Sequence, residues 1–275
     1  MRYLVRVLPV NVGMSRRRAK EGDFTLLAFT PGRYIVRFAA SADDLAAALA
    51  LRWCAFHDAR GRASRAGGDA DTHDAACRHV LIEDHRTGTL VACFRLSVLK
   101  NGVEIGQTYS AQFYDLSALA DYRQPMAELS RFCLRPDCHD PDVLRTAWGA
   151  LARFVDDQGI AMLFGCASFA GTDSVPYEAA LAALAQKHLG PRHWQPRVKS
   201  KQVLRFARDL SGRAPDPVAA TRTMPPLLRS YLALGGWVSD HAVIDHDLDT
   251  LHVFTGMEIC AIPPGRARVL RAICG

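Results

Sequence analysis

Residues 126–168 constrain the fold most, because they read as strand, turn, helix and strand with charge inside the first strand. Glu128 and Arg131 lie there among apolar neighbours. Burying unpaired charge is costly, so either the two charges pair with each other or another polar group reaches them. This stretch is therefore the first place to expect chemistry.

The elements around it follow from hydrophobic periodicity. Asp140-Pro141 predicts the start of a helix that ends at Gly159, and the apolar run at 160–167 predicts a strand covered on both faces. Earlier patterns predict a strand at 34–38, a helix capped by Ser41 and a hairpin at 79–98. Residues 60–76 are small and polar, so a mobile loop or lid is expected. Further strands are predicted at 203–207 and 251–259.

Charge and cysteine usage limit the function classes. The 275 residues carry a formal charge of +6, with arginine well in excess of lysine, which favours an anionic partner. No nucleic-acid-binding motif is visible, so nucleic acid is not expected. Eight cysteines without CxxC spacing and the lack of an export signal indicate a reducing cytoplasm. A basic cluster at 16–20 adds the inner-membrane surface as an alternative place of action.

Three motifs resemble one known family. ELSRFCLRP at 128–136, LFGCASFAGTD at 163–173 and MPPLLRSYLALGGWVSDHAVIDHDLDTLHVF at 224–254 are similar to bacterial ornithine N-acyltransferases of lyso-ornithine lipid synthesis. The first motif also resembles acyl-homoserine lactone synthases. The resemblance implies an α/β fold of the Gcn5-related N-acyltransferase (GNAT) type, with a mixed, mostly antiparallel central sheet flanked by helices. We expect a basic extension at 1–33, an acyltransferase domain at 34–258 and a C-terminal tail at 259–275.

The resemblance implies transfer of a 3-hydroxyacyl group from acyl carrier protein to the α-amine of ornithine. No bound cofactor is expected, because the donor carries its own phosphopantetheine. Three alternatives stay open: acylation of another amino acid such as glycine, acyl-homoserine lactone synthesis, and a non-catalytic module that binds acyl carrier protein or lipid.

Glu128 is the predicted base, since the acceptor ammonium must lose a proton before it attacks a thioester. Arg131 is the second predicted catalytic residue. In a regular strand the two side chains face opposite ways, so a β-bulge between them is predicted. The alternative for Glu128 is a structural ion pair with Arg131 or Arg95.

Arg95 and Arg131 are predicted to hold the acceptor carboxylate or to polarise the thioester; the alternative is pairing with carboxylates such as Asp115. A second, δ-amine needs an acidic pocket, and the acidic stretch at 240–249 offers one. No metal is expected, although Asp and His at 245–252 leave a metal site as an alternative. The other predicted substrate-binding residues are Ser130, Ser168, Asp173, Asp240, Asp245 and Asp249.

The segment RPDCHDPD at 135–142 lacks the glycine-rich loop with which CoA-using relatives hold the pyrophosphate, which argues for a carrier-bound donor. Acyl carrier proteins are acidic, so exposed basic residues are expected to dock them. Leu163, Phe164 and Phe169 are candidates for lining the acyl slot. The predicted docking residues are Arg135, Arg145, Arg197 and Lys199.

Overall fold

The computed structural model describes residues 32–57 and 68–273. Most of the predicted extension, and residues 60–67 of the predicted polar loop, lie outside the described residues. The strands are β1 (Tyr34–Phe38), β2 (Arg78–Asp84), β3 (Thr89–Leu99), β4 (Tyr114–Asp115), β5 (Met126–Leu134), β6 (Met162–Ala170), β7 (Arg197–Val198), β8 (Val203–Leu204), β9 (Trp237–Asp245) and β10 (Thr250–Glu258). The helices are α1 (Ala42–Phe56), α2 (Pro141–Gln158), α3 (Glu178–Lys187), α4 (Phe206–Asp209), α5 (Pro217–Thr223), α6 (Pro226–Ala233) and α7 (Pro264–Ala272).

In the part of the chain that the structure describes, eight strands form the main sheet in the order β1-β2-β3-β5-β6-β10-β9-β8, and β4 pairs with β7 in a small second sheet. All neighbours in the main sheet are antiparallel except β5 and β6. The predicted α/β class with a mixed, mostly antiparallel sheet is therefore confirmed.

Local sequence explains the helix boundaries. The Ser41 side chain accepts a hydrogen bond from the Asp44 amide at the start of α1, and Asp140 does the same for Asp142 at the start of α2. Gly159 ends α2 in the left-handed region at φ 60°. Strand β9 was not predicted, because the acidic residues in and after it suggested a loop.

Two layers of helices cover the sheet. Phe94, Leu96 and Leu129 pack in one core cluster with residues of α2. Cys93 and Cys133, which alternate with them along β3 and β5, pack with Ala48 and Leu51 of α1. Since side chains alternate across a strand, α1 and α2 lie on opposite faces of the sheet.

The parallel pair of β5 and β6 stays together over a short distance. It runs from Met126 opposite Met162 to Leu129 opposite Gly165, after which β5 remains on β3 and β6 remains on β10. A Cβ on Gly165 would lie 2.2 Å from the carbonyl oxygen of Leu129, so only glycine permits this approach. Beyond it the strands diverge and leave a gap in the sheet.

The predicted domain end at 258 coincides with the end of β10, but the chain continues as packed structure. Leu270 of α7 packs against the α2 cluster, and Arg271 Nε donates to Asp156 Oδ2 at 2.7 Å. Within residues 32–57 and 68–273, no helix is long and apolar enough to cross a membrane.

The close approach at Gly165 predicts the effect of an added methyl group. Gly165→Ala should lower the free energy of unfolding by about 1–3 kcal/mol, because the new Cβ forces β5 and β6 apart. Urea denaturation measures the loss. Gly265→Ala in α7 is the control, since nothing lies within 4 Å of its Cβ position. Equal stabilities of the two variants would show that β6 absorbs the methyl group without moving from β5.

Candidate active site

The predicted bulge is present in β5, and Arg131 is the extra residue. Arg95 pairs with Ser130 and Cys93 pairs with Cys133. Between these two pairs β5 has two residues where β3 has one. Arg131 has φ of 53°, a left-handed conformation that is uncommon outside glycine. The bulge turns Arg131 toward the α1 side of the sheet, where Ser130 also points.

Arg95 is fully buried and uses four of its five N–H groups inside the protein. Its Nη1 and Nη2 donate to the two carboxylate oxygens of Asp71 at 2.6 and 2.9 Å, Nη1 also donates to Asp74, and Nε donates to Ser130 Oγ at 2.8 Å. Burial alone would raise the pKa of Asp71, but the hydrogen bond and charge of Arg95, with the charge of Arg131, outweigh burial and lower that pKa to about 2.

Arg52 and Arg131 complete this network. Arg52 Nε donates to Asp69 Oδ2 at 2.9 Å, and its Nη1 donates to Asp74. Arg131 Nη2 donates to Asp71 at 3.1 Å, and its Nε lies 3.0 Å from Asp69 Oδ2 in an ion pair that lacks hydrogen-bond direction. Three positive charges therefore meet three negative charges.

Both arginines are thus paired with carboxylates, which was the alternative left open from the sequence, but the partners are not Asp115. Asp115 instead accepts a hydrogen bond from the amide of Ser117. Asp69, Asp71 and Asp74 come from the second half of the polar loop, which is fixed to the sheet by these ion pairs. The guanidiniums of Arg95 and Arg131 are therefore largely occupied before any acceptor carboxylate arrives.

Glu128 has neither of the ion pairs that were the alternative to a catalytic role. It is 1% exposed, and its carboxylate accepts hydrogen bonds from the amides of Tyr109 and Ser110 at 2.9 and 2.7 Å and from Ser110 Oγ at 2.6 Å. Burial raises the pKa of Glu128 despite these hydrogen bonds. The carboxyl group is thus rigidly held and binds a proton more readily than an exposed glutamate.

A cavity of about 710 Å³ occupies the gap between β5 and β6. Its walls include residues on both faces of the sheet. On the α2 face they are mainly apolar, as with Phe132, Leu144 and Leu227, which border the α2 cluster, and they also include His139, Asp140 and Arg229. On the opposite face they carry polar groups: Tyr109, Ser130, Arg131, Cys166, Ser168, Asp245, Thr250 and His252.

The cavity brings together some of the predicted site residues and not others. Arg131, Ser130, Ser168 and Asp245 line it, and of the proposed acyl-slot residues Phe164 and Phe169 do so, whereas Leu163 packs in the α2 cluster. Among the described residues, its walls do not include Glu128, Arg95, Asp173, Asp240 or Asp249.

Asp173, Asp240 and Asp249 have local surroundings that differ from an acidic pocket. Asp173 accepts from the Val175 amide at 3.0 Å, as a turn cap. Asp240 is half exposed and lies 2.6 Å from Nδ1 of His241, whose hydrogen bond lowers the pKa of Asp240. Asp249 has φ of 48° in the turn between β9 and β10.

The predicted docking residues do not form one group. Arg135 and Arg145 are exposed, pair with Asp137 and Asp142, and flank cavity-lining residues at the end of β5 and the start of α2. Arg197 and Lys199 lie at β7, and Lys199 Nζ donates to the carbonyl of Ala111 at 2.6 Å. Lys199 therefore supports the turn that holds Glu128.

Sequence reasoning missed Ser110, the three loop aspartates and His252 as parts of the site. The spacing of aspartates at 69, 71 and 74 in a small polar loop was the available signal. Among the described residues, no group of three or more His, Cys, Asp or Glu side chains is placed to hold a metal ion.

Comparison with known proteins identifies the family. A family model described as Acetyltransferase (GNAT) domain matches residues 51–149. The L-ornithine N(alpha)-acyltransferase of Rhodobacter capsulatus is 32% identical over 86% of this chain and 94% of its own length. The chain belongs to the L-ornithine Nα-acyltransferase family. The family's enzyme from Brucella abortus is 29% identical over 86% of this chain and 88% of its own length.

These matches confirm the predicted family, the GNAT fold and an amide-forming N-acyltransferase. Among solved structures, a CoA-dependent acyl-homoserine lactone synthase is 14% identical, with a TM-score of 0.45 over 84% of this chain and 82% of that one. An N-acyl amino acid synthase from uncultured soil microbes is 9% identical, with a TM-score of 0.44 over 83% of this chain and 92% of that one.

The lowered pKa of Asp71 predicts a pH-dependent contribution to stability. Asp71→Asn should reduce the free energy of unfolding at pH 7 by about 2 kcal/mol, because it removes the carboxylate that pairs with the buried Arg95 and with Arg131. The wild-type advantage is present above the ordinary aspartate pKa near 4 and should disappear as pH falls toward 2. Urea denaturation across this pH range measures it.

Asp121→Asn is the control, because Asp121 and Arg123 form an exposed pair 3.8 Å apart. It should change stability by less than about 1 kcal/mol at any pH. If the difference between wild type and Asp71→Asn did not vary with pH, Asp71 would not be ionised in the network.

Proposed function

We propose that this protein transfers a 3-hydroxyacyl group from acyl carrier protein to the α-amine of L-ornithine. The observation that carries the proposal is the cavity between β5 and β6, which is mainly apolar on the α2 face of the sheet and carries most of its polar groups on the other. An acyl chain fits the apolar side and an amino acid fits the polar side, so the thioester carbonyl would lie between them, where β5 and β6 diverge. The named activity of the relatives supports ornithine as the acceptor.

The reaction needs proton removal in a defined order. The α-ammonium gives up one proton, and its lone pair then attacks the thioester carbonyl. A C–N bond forms, the C–S bond breaks, and the carrier thiolate leaves with the second amine proton. One proton is therefore released for each amide made, and a buried base must accept it.

We assign Glu128 as the final proton acceptor, acting through Ser110. Glu128 does not reach the cavity wall, but Ser110 Oγ donates to it and in turn accepts a hydrogen bond from the cavity-lining Cys166 at 3.4 Å. As Ser110 passes its hydroxyl proton to Glu128, it can take the thiol proton of Cys166, which in turn takes one from a water molecule beside the amine. Arg131, with a Tyr109 hydroxyl 3.0 Å from its Nη1, is proposed to orient the thioester carbonyl.

The start of α2 supports a carrier-bound donor over free CoA. Asp140 already accepts the Asp142 amide, and its other oxygen accepts the hydroxyl of Tyr34. A pyrophosphate at this helix start would therefore meet a carboxylate where CoA-binding relatives offer amides. Arg135 and Arg145, beside the apolar end of the cavity, are the proposed contacts for the acidic carrier; Arg197 and Lys199 stay a prediction without support from their positions.

The donor assignment predicts that 3-hydroxyacyl-carrier protein and L-ornithine yield the Nα-acyl amide and free carrier thiol. Mass spectrometry detects the amide and a thiol reagent measures the release. The carrier-bound donor should have a higher kcat/KM than the same acyl group on CoA. Absence of thiol release above background would exclude the proposed reaction.

Charge reversal at Arg135 and Arg145 together should raise KM for the carrier-bound donor about tenfold at low salt and leave the reaction with acyl-CoA unchanged. Arg123→Glu, at the opposite end of β5, is the matched control. The docking assignment would be wrong if the double variant raised KM no more than Arg123→Glu does, or raised KM equally for the carrier-bound donor and acyl-CoA.

The base assignment predicts that Glu128→Gln lowers kcat by about 10²–10⁴-fold. In the wild type kcat should rise with pH through the pKa of Glu128, which burial raises above that of an ordinary glutamate. The glutamine variant should lack this rise, which a merely structural defect would not remove. Glu104→Gln, at a partly exposed site where the carboxylate accepts the Lys100 amide, is the control. An unchanged pH profile in Glu128→Gln would assign the proton transfer to another group.

A further inference from the structure

Asp245 lines the cavity as a buried carboxylate without a cation. It is 7% exposed, and Oδ1 accepts hydrogen bonds from the amides of Asp247 and Leu248 at 2.9 and 3.0 Å. Oδ2 makes no hydrogen bond with a described residue, and no described Arg, Lys or His lies within 4.0 Å of the carboxylate. A buried carboxylate in this state is costly unless a cation joins it.

His252, 3% exposed, lines the same cavity and carries a buried ring nitrogen that lacks a partner among the described residues. The single hydroxyl proton of Tyr114 goes to the carbonyl of His252 at 2.7 Å, so the 3.3 Å contact of that hydroxyl with Nδ1 requires Nδ1 to be the donor. Nε2 is therefore an unprotonated nitrogen, and it has no partner among the described residues. Burial and the charge of His241 lower the pKa of His252 to about 3, so the ring stays neutral.

Thr250 supplies a third polar atom. It lies directly opposite Asp245 across the β9–β10 pair, and two residues before His252 on β10, so the three side chains share one face of the sheet. Thr250 is 8% exposed, lines the cavity, and its Oγ1 has no partner among the described residues.

The chemistry of these three atoms selects a cation. A carboxylate oxygen and an imidazole lone pair can only accept hydrogen bonds here, and the threonine hydroxyl can accept one as well. An ammonium group has three N–H donors and no acceptor, so it matches three acceptors on one face of the sheet. A carboxylate or phosphate would instead face a negative charge and a lone pair.

We propose that Asp245, Thr250 and His252 form the subsite that receives the side-chain ammonium of the acceptor amino acid. The subsite rests on the proposed function and names how the acceptor is selected. It holds the δ-ammonium of ornithine away from the thioester and so leaves the α-amine to be acylated. A neutral side chain of the same length would leave Asp245 without its cation.

Binding of L-ornithine and L-norvaline tests this directly, because norvaline is ornithine without the δ-amine. Isothermal titration calorimetry, with and without the holo-carrier protein, measures both ligands. Wild type should bind ornithine on the order of 100-fold more tightly than norvaline. Asp245→Asn should lose most of that difference and bind norvaline within about threefold of wild type.

Asparagine at 245 retains the oxygen that accepts the two turn amides, so the fold is expected to persist. Thr250→Val, of similar size, should weaken ornithine binding about tenfold, with norvaline unaffected. Asp157→Asn, in an exposed pair on α2, is the control. The same discrimination in Asp245→Asn as in wild type, or no ornithine binding by wild type under either condition, would overturn the subsite.

Failure of the subsite and failure of the proposed function are distinguishable. Discrimination between the two amino acids without acyl transfer would retain the subsite and exclude the reaction. If the enzyme acylates ornithine but Asp245→Asn still distinguishes ornithine from norvaline as wild type does, the reaction is retained and the subsite is excluded.

Discussion

The short parallel pairing of β5 and β6 is the constraint on which the site depends. It ends where the bare Cα of Gly165 lies against the carbonyl of Leu129, and the cavity occupies the space after it. Beyond that point β5 stays paired with β3 and β6 stays paired with β10. The gap therefore removes only the hydrogen bonds between β5 and β6 and leaves the rest of the sheet intact. An elongated substrate can therefore enter the middle of a sheet without unfolding its edges.

The arginine–aspartate network stabilises the bulge in β5. A left-handed arginine is unfavourable, and Arg131 is held there by Asp69 and Asp71 on one side and the Tyr109 ring, 4.8 Å from its guanidinium, on the other. Because three arginines and three aspartates balance, the formal charge of +6 does not make this part of the site positive. Net charge therefore describes the surface of the protein, while the arginine–aspartate network inside it is balanced.

Periodicity and caps predicted most of the fold, because Ser41, Asp140 and Gly159 act through neighbours within a few residues. Strand β9 was missed because its acidic residues contradicted its apolar alternation. In the site, the bulge was predictable since Glu128 and Arg131 had to share a face. The partners of Arg95 and the hydroxyl beside Glu128 were not, because Asp71 and Ser110 are brought to them by tertiary contacts over 24 and 18 positions of sequence.

The placement of these groups along the chain separates two tasks. Arg52, Asp71, Ser110, Glu128 and Arg131 all lie inside the segment 51–149 that matches the general GNAT domain. The polar atoms at 245–252 lie about a hundred residues beyond it, on a hairpin joined to β6. The proposed proton handling and the proposed amino-acid choice are thus assigned to different stretches of sequence, so a change in the hairpin is expected to alter the acceptor while the acid–base chemistry stays as it is.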